Sequence, residues 1–172
     1  MKPTILCLLL AFTTLSLQAE DQFSVSEFTF TKPSGWKKLE TNSPMRAAQL
    51  LVPSADSEPA EVVFYYFGRG QGGGVRANLD RWIGQFEEPR EKLQVEEESS
   101  EINGIKVTYL SAQGTFLSGA PFGPKTPKKD QALFAAIVEG KQGSVFIKTT
   151  GPIKIVHGSR EATKKMVKQA LE

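Results

Sequence analysis

Between residues 28 and 150 the apolar side chains fall in strand-length blocks broken by turn residues, and only two stretches of the chain keep a helical period. Phe28-Thr29-Phe30 alternates as a strand, and Pro33-Ser34-Gly35-Trp36 then turns the chain. A second apolar run covers 45–52 and stops at Pro53, and 53–59, rich in Ser, Asp and Pro, reads as a loop. Residues 62–67 are continuously apolar and aromatic, the pattern of a strand covered on both faces and central in a sheet. Residues 92–99 predict a polar, partly exposed strand, and Asn103-Gly104 is a strong hairpin signal with Ile105, Val107 and Tyr109 alternating after it. Two further strands are predicted over 132–138 and 145–150, joined by Gly140-Lys141-Gln142-Gly143. The first helical stretch, 75–86, puts Val75, Leu79, Trp82, Ile83 and Phe86 on one face and is closed by Pro89. The second is a C-terminal helix that Ser159 can cap, with Ala162, Met166, Val167 and Ala170 on its apolar side. Hairpin-linked strands with few helices predict an α+β fold in which an antiparallel sheet is flanked by two main helices.

The N-terminus has a different character. Basic Lys2 precedes an apolar run over 5–12, and the more polar stretch after it ends in Ala19, with Glu20 and Asp21 following. A charged start, an apolar centre and a small residue at the cleavage point are the marks of a secretory signal peptide. The expectation is a signal peptide over 1–19 and a single α+β domain over 20–172. The apolar run falls short of the ~20 residues that span a bilayer. No later segment is longer, so no transmembrane segment is expected after cleavage. Cys7 lies inside the apolar run, outside the context of a lipoprotein cysteine.

Cys7 is also the one cysteine in the chain. A domain that begins at Glu20 therefore has no disulfide, thiolate nucleophile or cysteine metal ligand, although an oxidising destination would permit a disulfide. His157 is the one histidine, which leaves zinc without its usual ligands. The carboxylates at Glu87-Glu88 and Glu96-Glu97-Glu98 lack the spacing of a calcium loop. No metal and no cofactor are expected. The formal net charge is +2, so the basic excess of a nucleic-acid binder is missing. The acidic run and the pairs Lys128-Lys129 and Lys164-Lys165 read as solvated faces.

Phe28-x-Phe30-x-x-Pro33-x-Gly35-Trp36 resembles the opening of PsbP-like domains, and the helix, hairpins and terminal helix that follow are similar in order. That fold is shared by the extrinsic photosystem II protein and a small Ran-binding nuclear transport factor. The chain also resembles uncharacterised exported bacterial proteins with a Phe-Gly-x-Gly-Gln-Gly-Gly loop, here starting at Phe67, before an Asn-x-x-Arg-Trp helix, here Asn78, Arg81 and Trp82. The resemblance implies a PsbP-like scaffold and no particular chemistry.

Two segments are candidates for function. Gly68-Arg69-Gly70-Gln71-Gly72-Gly73 satisfies G-x-G-x-x-G between a strand and a helix. The antiparallel hairpins that follow do not fit a dinucleotide fold, and no Gly-Lys-Ser/Thr completes a P-loop. The loop amides with Arg69 and Arg76 could hold an anionic group; the same glycines suit a wide connection around the sheet. Asn78, Arg81 and Gln85 share one helix flank, where they either line a polar groove with this loop or bond to its carbonyls. The second segment, 116–130, mixes Phe116, Leu117 and Phe122 with Gly, Pro, Lys125, Lys128 and Lys129. A connection of that length is a candidate partner loop, or its aromatics cover a sheet end. Hydrolase patterns are incomplete: Ser34-x-x-Lys37 falls in a turn and Lys148-Thr149-Thr150-Gly151 is a near miss. The leading expectation is a non-enzymatic exported binding or accessory module of the cell envelope, periplasmic or extracellular. Its partner would be an envelope protein or a small anionic ligand. The rival is an enzyme acting on an exported substrate at a polar pocket around Arg69, Asn78, Arg81 and Gln85.

Overall fold

A computed structural model describes residues 21–119 and 123–172. The expected signal peptide and Phe122 lie outside the described residues. Strands β1 (Gln22–Val25) and β2 (Phe28–Thr31) pair as a hairpin of their own. The main sheet is antiparallel throughout and contains β3 (Lys37–Leu39), β4 (Ala48–Val52), β5 (Ala60–Tyr66), β6 (Gln94–Ile102), β7 (Ile105–Ser118), β8 (Thr126–Gly140) and β9 (Gly143–Pro152). Their spatial order is β3-β4-β5-β9-β8-β7-β6. Helix α1 (Val75–Ile83) lies between β5 and β6 in the chain, and helix α2 (Ile153–Leu171) follows β9. The fold is α+β, with a large antiparallel sheet and two helices, as expected.

Successive residues of a strand point to opposite faces, so each strand supplies two cores. On one face Phe64, Val107, Phe134, Val145 and Ile147 meet Val156, Met166, Val167 and Leu171 of α2 and the β1–β2 hairpin. Phe30 of that hairpin is fully buried, with ring centroids 5.7 Å from Phe23 and 5.1 Å from Phe64. On the other face Leu79, Trp82 and Ile83 of α1 cover Leu110, Ala112, Leu133, Ala135 and Ile137 of β7 and β8. A helix ~10 Å across covers about two strands spaced ~4.8 Å apart. Beyond Phe146, which packs against Trp82, no helix among the described residues covers β4, β5 and β9 on the α1 side.

The acidic run reads differently in three dimensions. Along edge strand β6, Glu96 and Glu98 reach Arg160 and Lys164 of α2, each at 2.6 Å, whereas Glu97 turns to Arg76 and Arg90 at 2.9 and 2.7 Å. Alternation thus ties the edge strand to both helices, and charge on an edge also discourages further strand pairing.

Three boundaries and one burial pattern depart from expectation. Helix α1 ends at Ile83 rather than Phe86, because Gly84 closes it. Helix α2 starts at Ile153, after Pro152, whose fixed φ suits the residue before a first turn. Ser159 is therefore not a cap; it is buried inside the helix, its hydroxyl donating to the Val156 carbonyl at 2.8 Å. The 116–130 segment is mostly a ribbon: Phe116 pairs with Lys128 and Ser118 with Thr126, beyond a register shift at Gly114/Phe116. Finally, β5 is fully covered on one face only, with Glu61 and Tyr65 half-buried on the other.

The aromatic cluster at Phe30 makes the hairpin part of the core. Replacing Phe30 by Ala is expected to lower unfolding free energy by about 3–5 kcal/mol, whereas Glu98→Gln, which removes an exposed ion pair, should cost under ~1 kcal/mol. Urea unfolding of the two variants checks the contrast.

Candidate functional site

The bare half of the α1 face forms a cleft of about 820 Å³ between α1, β5, β9, the segment before β4 and the β7–β8 ribbon. That volume lies within the range of small-molecule sites. Register builds its floor: Lys148 of β9 sits between Val63 of β5 and Ala135 of β8, and Thr150 lies opposite Glu61. Even-numbered residues of β9 and odd-numbered residues of β5 share this face, so Phe146, Lys148, Thr150, Glu61 and Tyr65 all line it.

The charged groups fall into two sets. Arg46 donates to both Glu61 and Gln49 at 2.8 Å, and the Gln49 amide donates to Glu61 at 2.7 Å. Glu61 is thereby committed to its neighbours. Lys148 has no ion-pair partner among the described residues; its ammonium donates to the Gln85 carbonyl oxygen, Oε1, at 3.1 Å. Burial lowers the Lys148 pKa to about 8; Glu61 opposes the shift, and Arg46 and Arg81 add to it. Burial likewise raises the Tyr65 phenol, with Glu61 adding and Arg46 opposing. The walls are aromatic: Phe67 stacks near Tyr65 at 6.3 Å and meets Phe146 at 5.9 Å, and Trp82 lies 6.4 Å from Phe146. Met45 and Phe67, 55% and 41% exposed, are the exposed large hydrophobic residues among those described, and both lie on this cleft.

The expected site residues separate. Arg81 and Gln85 line the cleft, and so do Phe116 and Lys125 from the other candidate segment. Asn78 does not reach it. Its side chain is buried, the amide nitrogen donating to the carbonyls of Gly72 and Gly74 at 2.9 Å while its oxygen accepts from Arg81. For Asn78 the loop-fixing reading is the one observed. Arg69, Gly70 and Gln71 are exposed and do not line the cleft. Gly72 packs on the aromatic wall: at φ +87°, a Cβ there would stand 2.7 Å from the Phe146 ring. Gly73 precedes the helix, also at positive φ. Lys128 pairs with Glu58 at 2.9 Å, away from the cleft. The glycine loop follows the end of β5, beside the β8–β9 turn, whereas the Ser118–Thr126 pair of the ribbon is at the opposite end of the sheet, beyond the start of β5. Among the described residues the two loops do not meet, and the cleft runs between them along α1.

Arg46, Glu61, Tyr65 and Lys148 were not among the expected site residues. One signal was legible: Lys148 interrupts the apolar strand Val145-Phe146-Ile147 at an inward-facing position. No group of His, Cys, Asp or Glu among the described residues could hold a metal, and none of their helices is long and apolar enough to cross a membrane.

Lys148 links the cleft to stability. Its ordinary value is 10.5 and its folded value about 8, so between those limits the unfolded chain binds the extra proton and stability rises with pH. Below pH 8 both states are protonated and the folded state carries the full cost of the buried charge. Lys148→Met is therefore expected to stabilise the protein near neutrality by on the order of 2–3 kcal/mol and to flatten the rise above pH 8. Chemical denaturation across that range measures both effects.

No family model and no curated protein matches the chain. Among solved structures it is similar to cyanobacterial PsbP from Synechocystis sp. PCC 6803, at TM-score 0.52 and 11% identity, over 85% of this chain and 88% of that one. It also aligns with PA94, a protein of unknown function from Pseudomonas aeruginosa, at TM-score 0.44 and 15% identity, over 86% and 92% of the two chains. Identities this low speak to the fold alone. The chain has a PsbP-like fold, with a polar and aromatic cleft on the α1 side of its sheet.

Proposed function

We infer that this protein is an exported, non-enzymatic binding module that holds a small amphipathic anion in the cleft beside α1. One observation carries the reading. Arg46, Arg81, Lys125 and Lys148 share the cleft with a single carboxylate, Glu61, and the same cleft has the exposed apolar residues Met45 and Phe67 at its surface. An excess of cations favours a negative ligand group, and aromatic walls favour an apolar body attached to it. The concave shape suits a small molecule better than the flat face of an envelope protein. Export is supported by the sequence pattern over 1–19.

Binding is tested with naphthoate, followed through the emission of Trp82 on the cleft wall. One saturable site is expected, weakened about tenfold in Arg81→Ala, which removes a charge worth ~1.4 kcal/mol to the ligand. Naphthylmethanol, of similar shape but neutral, should bind more weakly. Equal binding of the two compounds, or none, contradicts the reading. Export is tested separately: full-length protein made in a Gram-negative host should be recovered outside the cytoplasm with Glu20 as its first residue. Recovery in the cytoplasm with residues 1–19 retained would refute it.

A further inference from the structure

The arrangement around Lys148 is more specific than an anion site needs. A lysine that serves only to attract an anion is best left solvated and charged. Lys148 instead rises from the middle strand of the cleft floor between Val63 and Ala135, with the neutral Gln85 carbonyl oxygen as its polar partner. The nearby carboxylate, Glu61, is held by Arg46 and Gln49 and makes no ion pair with Lys148. The other charged groups on the cleft are cations: Arg46 from the segment before β4, Arg81 from α1 and Lys125 from the ribbon. Tyr65 supplies a phenol on the same face.

We propose that the cleft takes up carbonyl-bearing carboxylates, aldehydes or ketones with an apolar body, and that the Lys148 amine captures them reversibly as an imine. This rests on the reading of the cleft as a site for amphipathic anions and names the chemical class it selects. The Lys148 nitrogen lone pair attacks the carbonyl carbon, forming a C–N bond as the carbonyl oxygen takes up a proton. The resulting carbinolamine loses that oxygen as water, the nitrogen gives up its remaining proton, and a C=N bond remains. No oxidant or reductant is consumed. The Tyr65 phenol, on the same cleft, can give a proton to the departing water and take one back from the nitrogen. Arg81 faces the ligand carboxylate. Burial and the cationic neighbours lower the Lys148 pKa to about 8, so near physiological pH a larger share of its amine is neutral and nucleophilic than in an exposed lysine.

The test is reductive trapping. Folded protein is treated with para-carboxybenzaldehyde and cyanoborohydride near neutral pH, and the modified lysines are located by peptide mass spectrometry. Lys148 should be labelled about tenfold or more faster than the exposed Lys141 and Lys154, despite its lower accessibility. Arg81→Ala should reduce the preference for this aldehyde over benzaldehyde, which has no carboxylate, and Lys148→Met should remove the fast label. Because the wild-type map is decisive by itself, poor folding of a variant does not blunt the test. Labelling that follows surface exposure, with Lys148 unmodified, overturns the proposal. If naphthoate still saturates the cleft in that case, only the imine chemistry falls; if it does not, the anion site falls too.

Discussion

The contact between the start of α1 and the aromatic end of the sheet determines how the rest of the molecule is used. Gly72 lies so close to Phe146 that no side chain fits between them, and the Asn78 amide holds the carbonyls of Gly72 and Gly74. These contacts pin a nine-residue helix over β7 and β8. A short helix pinned there leaves the other half of the sheet face uncovered. Buried amides bonded on every side are costly to disturb, so the helix is a fixed wall rather than a lid.

The two sheet faces therefore have different roles. The α2 face buries a continuous core of aromatic and branched residues, reinforced at its margin by Arg160 and Lys164, which lie over the Phe134 and Tyr109 rings at 5.3 Å and also reach β6. The α1 face is a core for only part of its width. Beyond Trp82 it becomes a cleft whose floor includes a lysine with a pKa that burial lowers to about 8. A strand position flanked by Val63 and Ala135 would be filled more stably by an apolar residue. Placing an amine there costs stability that the α2 core has to offset, a pattern common at functional sites.

Much of the fold was legible in the sequence because local signals and tertiary packing agree. Asn103-Gly104 forms the expected hairpin between β6 and β7, and the helical period of Leu79, Trp82 and Ile83 marks the buried side of α1. Disagreement arose where a local signal had competitors. Pro152 starts α2 ahead of Ser159, whose hydroxyl turns back into its own helix. The Gly- and Pro-containing 116–130 segment pairs as a ribbon because long-range strand registry extends past its turn-forming residues.

The candidate site was less legible. Arg81 and Gln85 could be placed on one helix flank by their spacing, but the groups they face come from distant parts of the chain. Arg46 precedes β4, Glu61 and Tyr65 belong to β5, and Lys148 lies on β9, next to β5 only because of the strand order. The glycine loop drew attention as a site, yet its Gly72 and Gly73 serve the backbone's close approach to Phe146 and the entry to α1. By itself the sequence determined the classes of local structure, because period and turn chemistry act over a few neighbouring residues. It also determined that the chain has no cysteine after Cys7, and so no disulfide within residues 20–172. Only the tertiary structure decided which half of the sheet stays bare and that Lys148 sits half-buried among cations with no ion-pair partner among the described residues, because cross-strand neighbours and helix placement are set by contacts between residues far apart in the chain.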